Sequence, residues 1–138
     1  MALRVCKDRE VLYPVTAKML SDKGDGSVVD VKFTVTYIPL SRKEYRDKMR
    51  ELNGVGVDQE ELSMREAIRQ MYDEEKLSEY DAWLRKHVVG WGNDVIDEDG
   101  EPIPFSDENY AMLMDIIPVG NAIDTGLWAC TREEPAKN

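Results

Sequence analysis

The chain has 138 residues, of which 42% are hydrophobic, and a formal net charge of −10 from 28 acidic and 18 basic residues. This length is typical of one domain, so we predict a single domain over residues 1–138. The acidic balance argues against nucleic acid as a partner, because phosphate binding needs a basic surface. The charged N-terminus leaves no apolar run for a signal peptide, and no apolar stretch is long enough to span a membrane. We therefore expect a soluble, cytoplasmic protein with no membrane partner.

Two runs rich in β-branched and aromatic residues lie at 11–20 and 28–38. In the second run, apolar and polar side chains alternate, which predicts a strand with one apolar face. This candidate interaction face consists of Val29, Val31, Phe33, Val35 and Tyr37. The intervening SDKGDGS favours a tight reversal, so we predict a β-hairpin over about residues 11–38. Pro14 marks its first strand as an edge strand.

The pattern then becomes helical, and we predict a body of four to five helices over about residues 41–132 and a frayed tail at 133–138. Ser41 and Glu44 form the signature of a capping box, which begins the first helix. The fold class is therefore α+β, with an N-terminal β-hairpin, a small antiparallel sheet, followed by a mainly α-helical body.

Asp58 and Glu61 repeat the capping signal and begin a longer helical pattern that continues to Val88. A change of register around residues 73–78 indicates that this segment forms two helices. A later stripe of small and apolar side chains predicts either a core-facing helix or a self-association face. Its members are Val119, Ala122, Ile123, Gly126, Leu127 and Cys130.

The most distinctive stretch, residues 88–110, carries seven carboxylates among prolines, glycines and a tryptophan. If Gly100 were the central glycine of a calcium loop, Asp97 and Asp99 would occupy ligand positions. Val95 and Ser106 would then occupy the two other required positions, where neither residue type supplies the expected carboxylate. We therefore predict no calcium site here.

The same stretch has the features of a structural turn. An Asp-Gly pair favours a tight turn with positive φ at the glycine. The two following prolines hold the chain extended, and a serine then caps a helix. We predict an extended arm, turned at Gly100 and fixed to the helices by two aromatic side chains. The motif consists of Gly90, Trp91, Asp97, Asp99, Gly100, Pro102, Pro104, Phe105 and Ser106.

Signals for catalysis are weak. The one histidine, His87, lies in the helical phase of apolar neighbours. The sequence contains no nucleophile elbow, phosphate-binding loop or HExxH motif. Cys6 and Cys130 fit no zinc spacing, and we expect both to be reduced thiols, with Cys130 buried. We predict a protein that is not an enzyme and that binds no metal or cofactor.

The order of elements in VVGWGNDVIDEDGEPIPFSDENYAMLMD resembles that in tail assembly chaperones of long-tailed bacteriophages and prophages. The similarity consists of a Gly-Trp pair at 90–91, an acidic turn ending at Gly100, a Pro-apolar-Pro-Phe step at 102–105 and a capped helix from Ser106. The N-terminal hairpin that precedes helices is also similar to that family.

This resemblance implies an assembly factor that binds the tape measure protein, helps to recruit tail tube protein, self-associates, and is not expected in the mature virion. Met64, Met71, Met112 and Met114 would suit adaptable contacts with helices, although core packing also explains methionines. Two other classes stay open. One is a small oligomeric phage structural protein of the tail terminator or head–tail connector type, and the other is a host-directed regulatory module.

Overall fold

The computed structural model describes residues 2, 3, 5, 8–52 and 63–135, and over these ranges the chain is α+β, as predicted. A three-stranded antiparallel sheet packs against helices. The helix start predicted at Asp58 and Glu61 and the thiol of Cys6 lie outside the described residues. Cys130 is a buried free thiol, as expected.

The sheet contains β1 (Val11–Leu20), β2 (Val28–Tyr37) and β3 (Val88–Trp91), in the order β1-β2-β3. Strands β1 and β2 form the predicted hairpin over their whole length, from the Val11–Tyr37 pair to the Leu20–Val28 pair. Among the described residues, β1 pairs with β2 alone and is therefore an edge strand, which agrees with the presence of Pro14. Strand β3 pairs only with the last part of β2, through Val35 to Tyr37.

The described ranges contain five helices. They are α1 (Arg42–Glu51), α2 (Met64–Arg69), α3 (Glu74–Arg85), α4 (Asp107–Met114) and α5 (Ile117–Thr131). Helix α5 makes the main contact with the sheet. The capping box at Ser41 and Glu44 is present, with both reciprocal hydrogen bonds. The predicted break between two helices lies just before α3, where the side chain of Asp73 accepts a hydrogen bond from the backbone N–H of Lys76.

One helical prediction is wrong, because Val88 belongs to β3 and not to the preceding helix. Helix α3 ends at Arg85, and the backbone of His87 then accepts a hydrogen bond from Ile38 N–H at 2.9 Å. Val88 pairs with Tyr37 on β2. The four-residue step from Leu84 to Val88 imitates helical spacing, but pairing with β2 overrides that local pattern. The predicted helical body therefore contains a strand.

The core lies between the sheet and α5, which packs mainly against β1. The hydroxyl of Tyr37 donates a hydrogen bond to Ile123 C=O at 2.7 Å. A Cβ atom added to Gly126 would lie 2.2 Å from the Tyr37 hydroxyl oxygen and 2.5 Å from a Val15 methyl carbon. The small-residue stripe is buried inside this contact, so its core-packing interpretation is confirmed and its use as a self-association face is wrong.

We expect Gly126→Ala to lower the free energy of unfolding by about 1–3 kcal/mol, because the added methyl group overpacks the contact between α5 and the sheet. Thr125→Ala, one residue away on the exposed side of α5, should change it by less than about 0.5 kcal/mol. Urea denaturation followed by circular dichroism measures both. Equal urea denaturation midpoints for Gly126→Ala and the parent protein would contradict the close approach of α5 to the sheet at this position.

Candidate functional site

Residues 95–103 form a small hairpin-like turn at the position predicted for the arm. Gly100 has a φ of +78°, as expected for an Asp-Gly turn. The Asp97 carboxylate accepts hydrogen bonds from the backbone N–H groups of Asp99 and Glu101 at 2.9 and 3.0 Å. Pro102 lies opposite Ile96 in an isolated antiparallel bridge. The carboxylate of Asp97 therefore shapes the turn.

The turn is held to the body by Trp91, on β3. Its indole N–H donates a hydrogen bond to Ile103 C=O at 2.7 Å, and its ring contacts Phe105 edge-on with centroids 4.8 Å apart. The guanidinium of Arg85 lies 4.6 Å from the Phe105 ring centroid, which joins the arm to the end of α3. Trp91 is half-buried.

The remaining residues of the motif connect the arm to its neighbours. The Ser106 hydroxyl caps α4 by accepting from Asn109 N–H at 3.0 Å. The Asn109 side chain in turn donates to Pro104 C=O at 2.8 Å, which fixes the entry into the helix. Gly90 lies opposite Thr36 in the β2–β3 pair. All nine predicted motif residues thus lie in β3, in the arm or at the α4 cap.

Asp94 is a member of this arrangement that the sequence reasoning missed. Its carboxylate accepts from both the backbone N–H and the hydroxyl of Thr34, at 3.2 and 3.1 Å. Gly92 N–H donates to Thr34 C=O at 2.9 Å, so the ladder with β2 ends at this point. The sequence signal for Asp94 was the Asn-Asp pair that directly follows Gly-Trp-Gly at the end of β3. Such polar residues favour hydrogen bonds between their side chains and nearby backbone groups.

We expect Trp91→Ala to lower the free energy of unfolding by about 2–3 kcal/mol, somewhat less than for a fully buried aromatic side chain. Trp91→Phe, which retains most of the ring contact with Phe105, should cost about 1 kcal/mol through the lost bond to Ile103. Denaturant midpoints of the two variants measure the difference. If the two variants were equally stable, the ring contact would contribute nothing and Trp91 would be free for a binding role.

The predicted interaction face on β2 divides into two halves. Phe33, Val35 and Tyr37 are buried in the core, with Val35 0% exposed, so they cannot contact a partner. Val29 and Val31 are 44% and 41% exposed. The five residues do share one face, but the core covers only the end of the hairpin that lies near β3. The interaction face of five residues is therefore wrong as a unit, and its exposed part consists of Val29 and Val31.

The distal hairpin, defined as residues 17–31, carries exposed apolar side chains on both faces. Leu20 and Val28 form the last cross-strand pair and are 75% and 58% exposed. They lie on the face opposite to that of Val29 and Val31, because successive strand residues point to opposite sides. Both faces of the distal hairpin are therefore available for apolar contact.

The four methionines suggested as partner contacts have different environments. Met71 and Met112 are exposed, Met64 is half-buried and Met114 belongs to the core. Only the first two are positioned for contact with another protein, and core packing accounts for Met114.

A buried polar cluster between α2, α3 and α5 is a second feature that the sequence reasoning missed. Asp124 on α5 is fully buried and accepts hydrogen bonds from Arg65 N–H, at 2.9 Å, and from the Tyr80 hydroxyl. The Trp128 indole N–H donates to the same hydroxyl at 3.0 Å. The sequence signal was one aspartate within an otherwise apolar helix stripe.

The side chain of Arg65 extends this cluster. It is buried, forms an ion pair with Asp81 at 2.8 Å, and donates to Met114 C=O at 2.7 Å. Burial raises the pKa of Asp124 to about 6, although its hydrogen bonds with Tyr80 and Arg65 act in the opposite direction. The cluster therefore connects α2, α3, α4 and α5 through charges and hydrogen bonds that are mostly buried.

The raised pKa of Asp124 has a consequence for stability. Because the pKa in the fold lies above its ordinary value of 3.8, Asp124 contributes most stability below pH 3.8 and loses it as the pH rises through about 6. The total is on the order of 3 kcal/mol, and somewhat less than half of it is lost between pH 5 and pH 8. The stability of Asp124→Asn relative to the parent should therefore rise by roughly 1 kcal/mol from pH 5 to pH 8.

Chemical denaturation of both proteins at pH 5, 6.5 and 8 measures this relative gain. Asp115→Asn, an exposed change at the end of α4, serves as the control for net charge. A constant difference between parent and Asp124→Asn at all three pH values would show that this carboxyl does not titrate in the interval.

His87 is buried at the junction of α3 and β3. Its Nδ1 lies 3.0 Å from Ile38 C=O, and its Nε2 lies 3.5 Å from the Glu44 carboxylate. The ring also contacts Trp83, with centroids 5.4 Å apart. His87 therefore links the end of β2 to α1 and α3.

Within residues 8–52 and 63–135, no group of three His, Cys, Asp or Glu side chains is arranged to hold a metal ion. No helix in the described part of the chain is long and apolar enough to cross a membrane. No protein-family model, curated protein or solved structure matches the chain.

Proposed function

We propose that this protein is a tail assembly chaperone of a long-tailed bacteriophage or prophage. In this role it acts without catalysis in the host cytoplasm, binds the tape measure protein, assists recruitment of tail tube protein, and does not remain in the virion. The observation that carries the proposal is the distal hairpin, which exposes apolar side chains on both faces of an otherwise acidic protein.

The distal hairpin also exposes unpaired backbone groups. Strand β3 ends opposite Thr34, so the outer edge of β2 at Val28, Asp30 and Lys32 has no neighbouring strand in the described structure. Exposed strand edges either carry protection against pairing or serve as contact sites. The charges of Asp30 and Lys32 disfavour pairing of this edge with another strand. The two apolar faces of the distal hairpin stay accessible. These faces support a role in binding hydrophobic segments of another protein.

The net charge of −10 gives a second line of support. A chaperone must keep a complex with an aggregation-prone helical partner in solution, and a strongly charged surface favours solubility. The arm over residues 92–105, which carries the family resemblance, is fixed by the Trp91 and Phe105 contacts. It thereby holds β3 against β2 and supports the base of the hairpin.

Self-association is part of the same proposal, and we assign it to Val29 and Val31 rather than to the whole predicted face. We expect the double change Val29→Lys and Val31→Lys to reduce self-association, because it places charge on the exposed apolar surface. Light scattering across a concentration series should show the parent rising above its monomer mass of 15.8 kDa and the variant rising less. Leu12→Lys, an exposed apolar site at the other end of β1, is the matched control.

Binding is tested by co-expression with a candidate tape measure protein from the same genome. The parent should increase the soluble fraction of the tape measure protein, and the double lysine variant should do so less than Leu12→Lys. Circular dichroism establishes that each variant is folded. A parent that stays monomeric and leaves the tape measure protein insoluble would contradict the proposal. Detection of the protein in purified virions by mass spectrometry would instead favour a structural role.

A further inference from the structure

The net charge of the protein is concentrated in one part of the chain. Residues 88–131 contain nine carboxylates and no lysine or arginine, so of the net charge of −10 only −1 falls outside this stretch. Asp124 is buried, and the other eight carboxylates are exposed in the arm, on α4 or at the end of α4. The arm and α4 therefore form a strongly acidic surface.

Three of these carboxylates project from the turn at Gly100, and we call Glu98, Asp99 and Glu101 the acidic turn. Their side chains are exposed and form no hydrogen bond or ion pair with any other residue that the structure describes. The backbone beneath them is fixed, because Asp97 N–H donates to Glu101 C=O at 2.9 Å and the Asp97 carboxylate accepts from backbone N–H groups of the turn. The acidic turn therefore presents three unpaired negative charges on a hydrogen-bonded support.

The other exposed carboxylates of this stretch are engaged or isolated. Asp94 bonds to β2, and Asp107 forms an ion pair with Arg85 at 2.8 Å. Glu108 and Asp115 stand singly near opposite ends of α4. The acidic turn is therefore the densest group of unengaged carboxylates in this part of the protein.

Helix α1 carries the opposite charge on one side. At about 3.6 residues per turn, its four exposed basic residues fall within about one third of the helix circumference. This basic face consists of Arg42, Lys43, Arg46 and Arg50. The three carboxylates of α1 fall in the adjacent sector, and Glu44 among them already contacts His87. The basic face therefore contains four positive charges and no carboxylate.

The basic face has no strong partner within the described ranges of the chain. Its one ion pair there joins Arg46 to the neighbouring Asp47 at 3.9 Å, and both side chains are more than half exposed. Contacts on other sides hold α1 in place, among them the ring of Tyr45 against that of Trp128. No ion pair between described residues joins the acidic turn to the basic face, so each surface is free to meet the other on a different copy.

The two surfaces are complementary in charge between copies. Two copies that each carry a net charge of −10 repel one another on average. An approach that brings the acidic turn of one copy to the basic face of another replaces this repulsion locally by attraction, because three carboxylates meet four cations. Exposed ion pairs are individually weak and are screened by salt, so the contact is weak and depends on ionic strength.

We propose that the basic face of α1 binds the acidic turn of a second copy of this chain. The contact is heterologous, because one copy contributes α1 and the other contributes the turn, so successive copies form an open chain or a closed ring. It is separate from the apolar contact assigned to Val29 and Val31. It also does not depend on the tape measure protein.

Charge reversal tests both sides of the contact. Arg42→Glu with Arg46→Glu reverses half of the basic face and suits the start of a helix, where acidic side chains are favourable. Glu98→Lys with Glu101→Lys reverses two charges of the acidic turn. The quadruple variant that combines all four changes keeps the net charge of the parent. Circular dichroism establishes that each variant is folded.

Sedimentation velocity across a concentration series measures self-association at about 0.02 M and about 0.5 M salt. At low salt, each double variant should raise the dissociation constant of the parent at least about tenfold, to the value that the parent shows at high salt. The quadruple variant should associate as the parent does, because the ion pairs are restored with exchanged signs. Lys18→Glu with Lys23→Glu, which changes the net charge as much as the α1 variant does, should also associate as the parent does.

The outcomes separate this inference from the proposed function. The apolar contact at Val29 and Val31 survives at high salt, so only the salt-sensitive part of the association belongs to the basic face and the acidic turn. A parent with no salt-sensitive association, or a quadruple variant that does not regain it, overturns the inference. The inference is also overturned if the α1 variant loses association while the turn variant keeps it, because the acidic partner then lies elsewhere. Solubilisation of the tape measure protein tests the proposed function independently of all these results.

Discussion

The close contact between α5 and the hairpin at Gly126 is the constraint on which the rest of the structure depends. Because this position has no side chain, Val15 and Tyr37 approach the helix directly, and the hydroxyl of Tyr37 reaches a backbone carbonyl of α5. The contact places the helix under β1 and toward the end of the hairpin that pairs with β3. The distal hairpin projects beyond this contact as a result of that placement.

The polar cluster around Asp124 shows a different balance of forces. Burying a carboxyl costs free energy, and the raised pKa expresses that cost. The buried carboxylate accepts hydrogen bonds from the backbone N–H of Arg65, at the start of α2, and from the hydroxyl of Tyr80, on α3. Since α2 has only six residues, it cannot be stable alone and depends on such contacts. The cluster therefore specifies how short helices are arranged rather than adding much net stability.

The sequence predicted the parts of the fold that depend on local chemistry. Alternation in β2, the capping box at Ser41 and the Asp-Gly turn at Gly100 act within a few residues of the chain, and each is present. The strand at Val88 was missed because its partner is about fifty residues away and four-residue spacing also suits a helix. Burial along β2 could not be predicted either, because the position at which α5 stops covering the strand is set by packing between distant segments.

The same limits apply to the candidate site. The motif residues from Gly90 to Ser106 were found because turns, prolines and caps have strong local preferences. Asp94 and Asp124 were missed because an aspartate in a loop or helix is ordinary until its partner is known. Thr34, Arg65 and Tyr80 are those partners, and all are distant in sequence. The division of the β2 face into buried and exposed halves has the same origin.

The contact of the first strand with the last helix also affects how the chain is made. Tyr37 and Ile123 are 86 residues apart, and Tyr13 meets Glu134 across 121 residues. At about 5–20 residues per second, a ribosome needs several seconds to produce α5 after the hairpin has emerged. An isolated two-stranded hairpin is at best marginally stable in water. During synthesis, its apolar side chains therefore stay exposed until α5 has been made and can pack against the sheet.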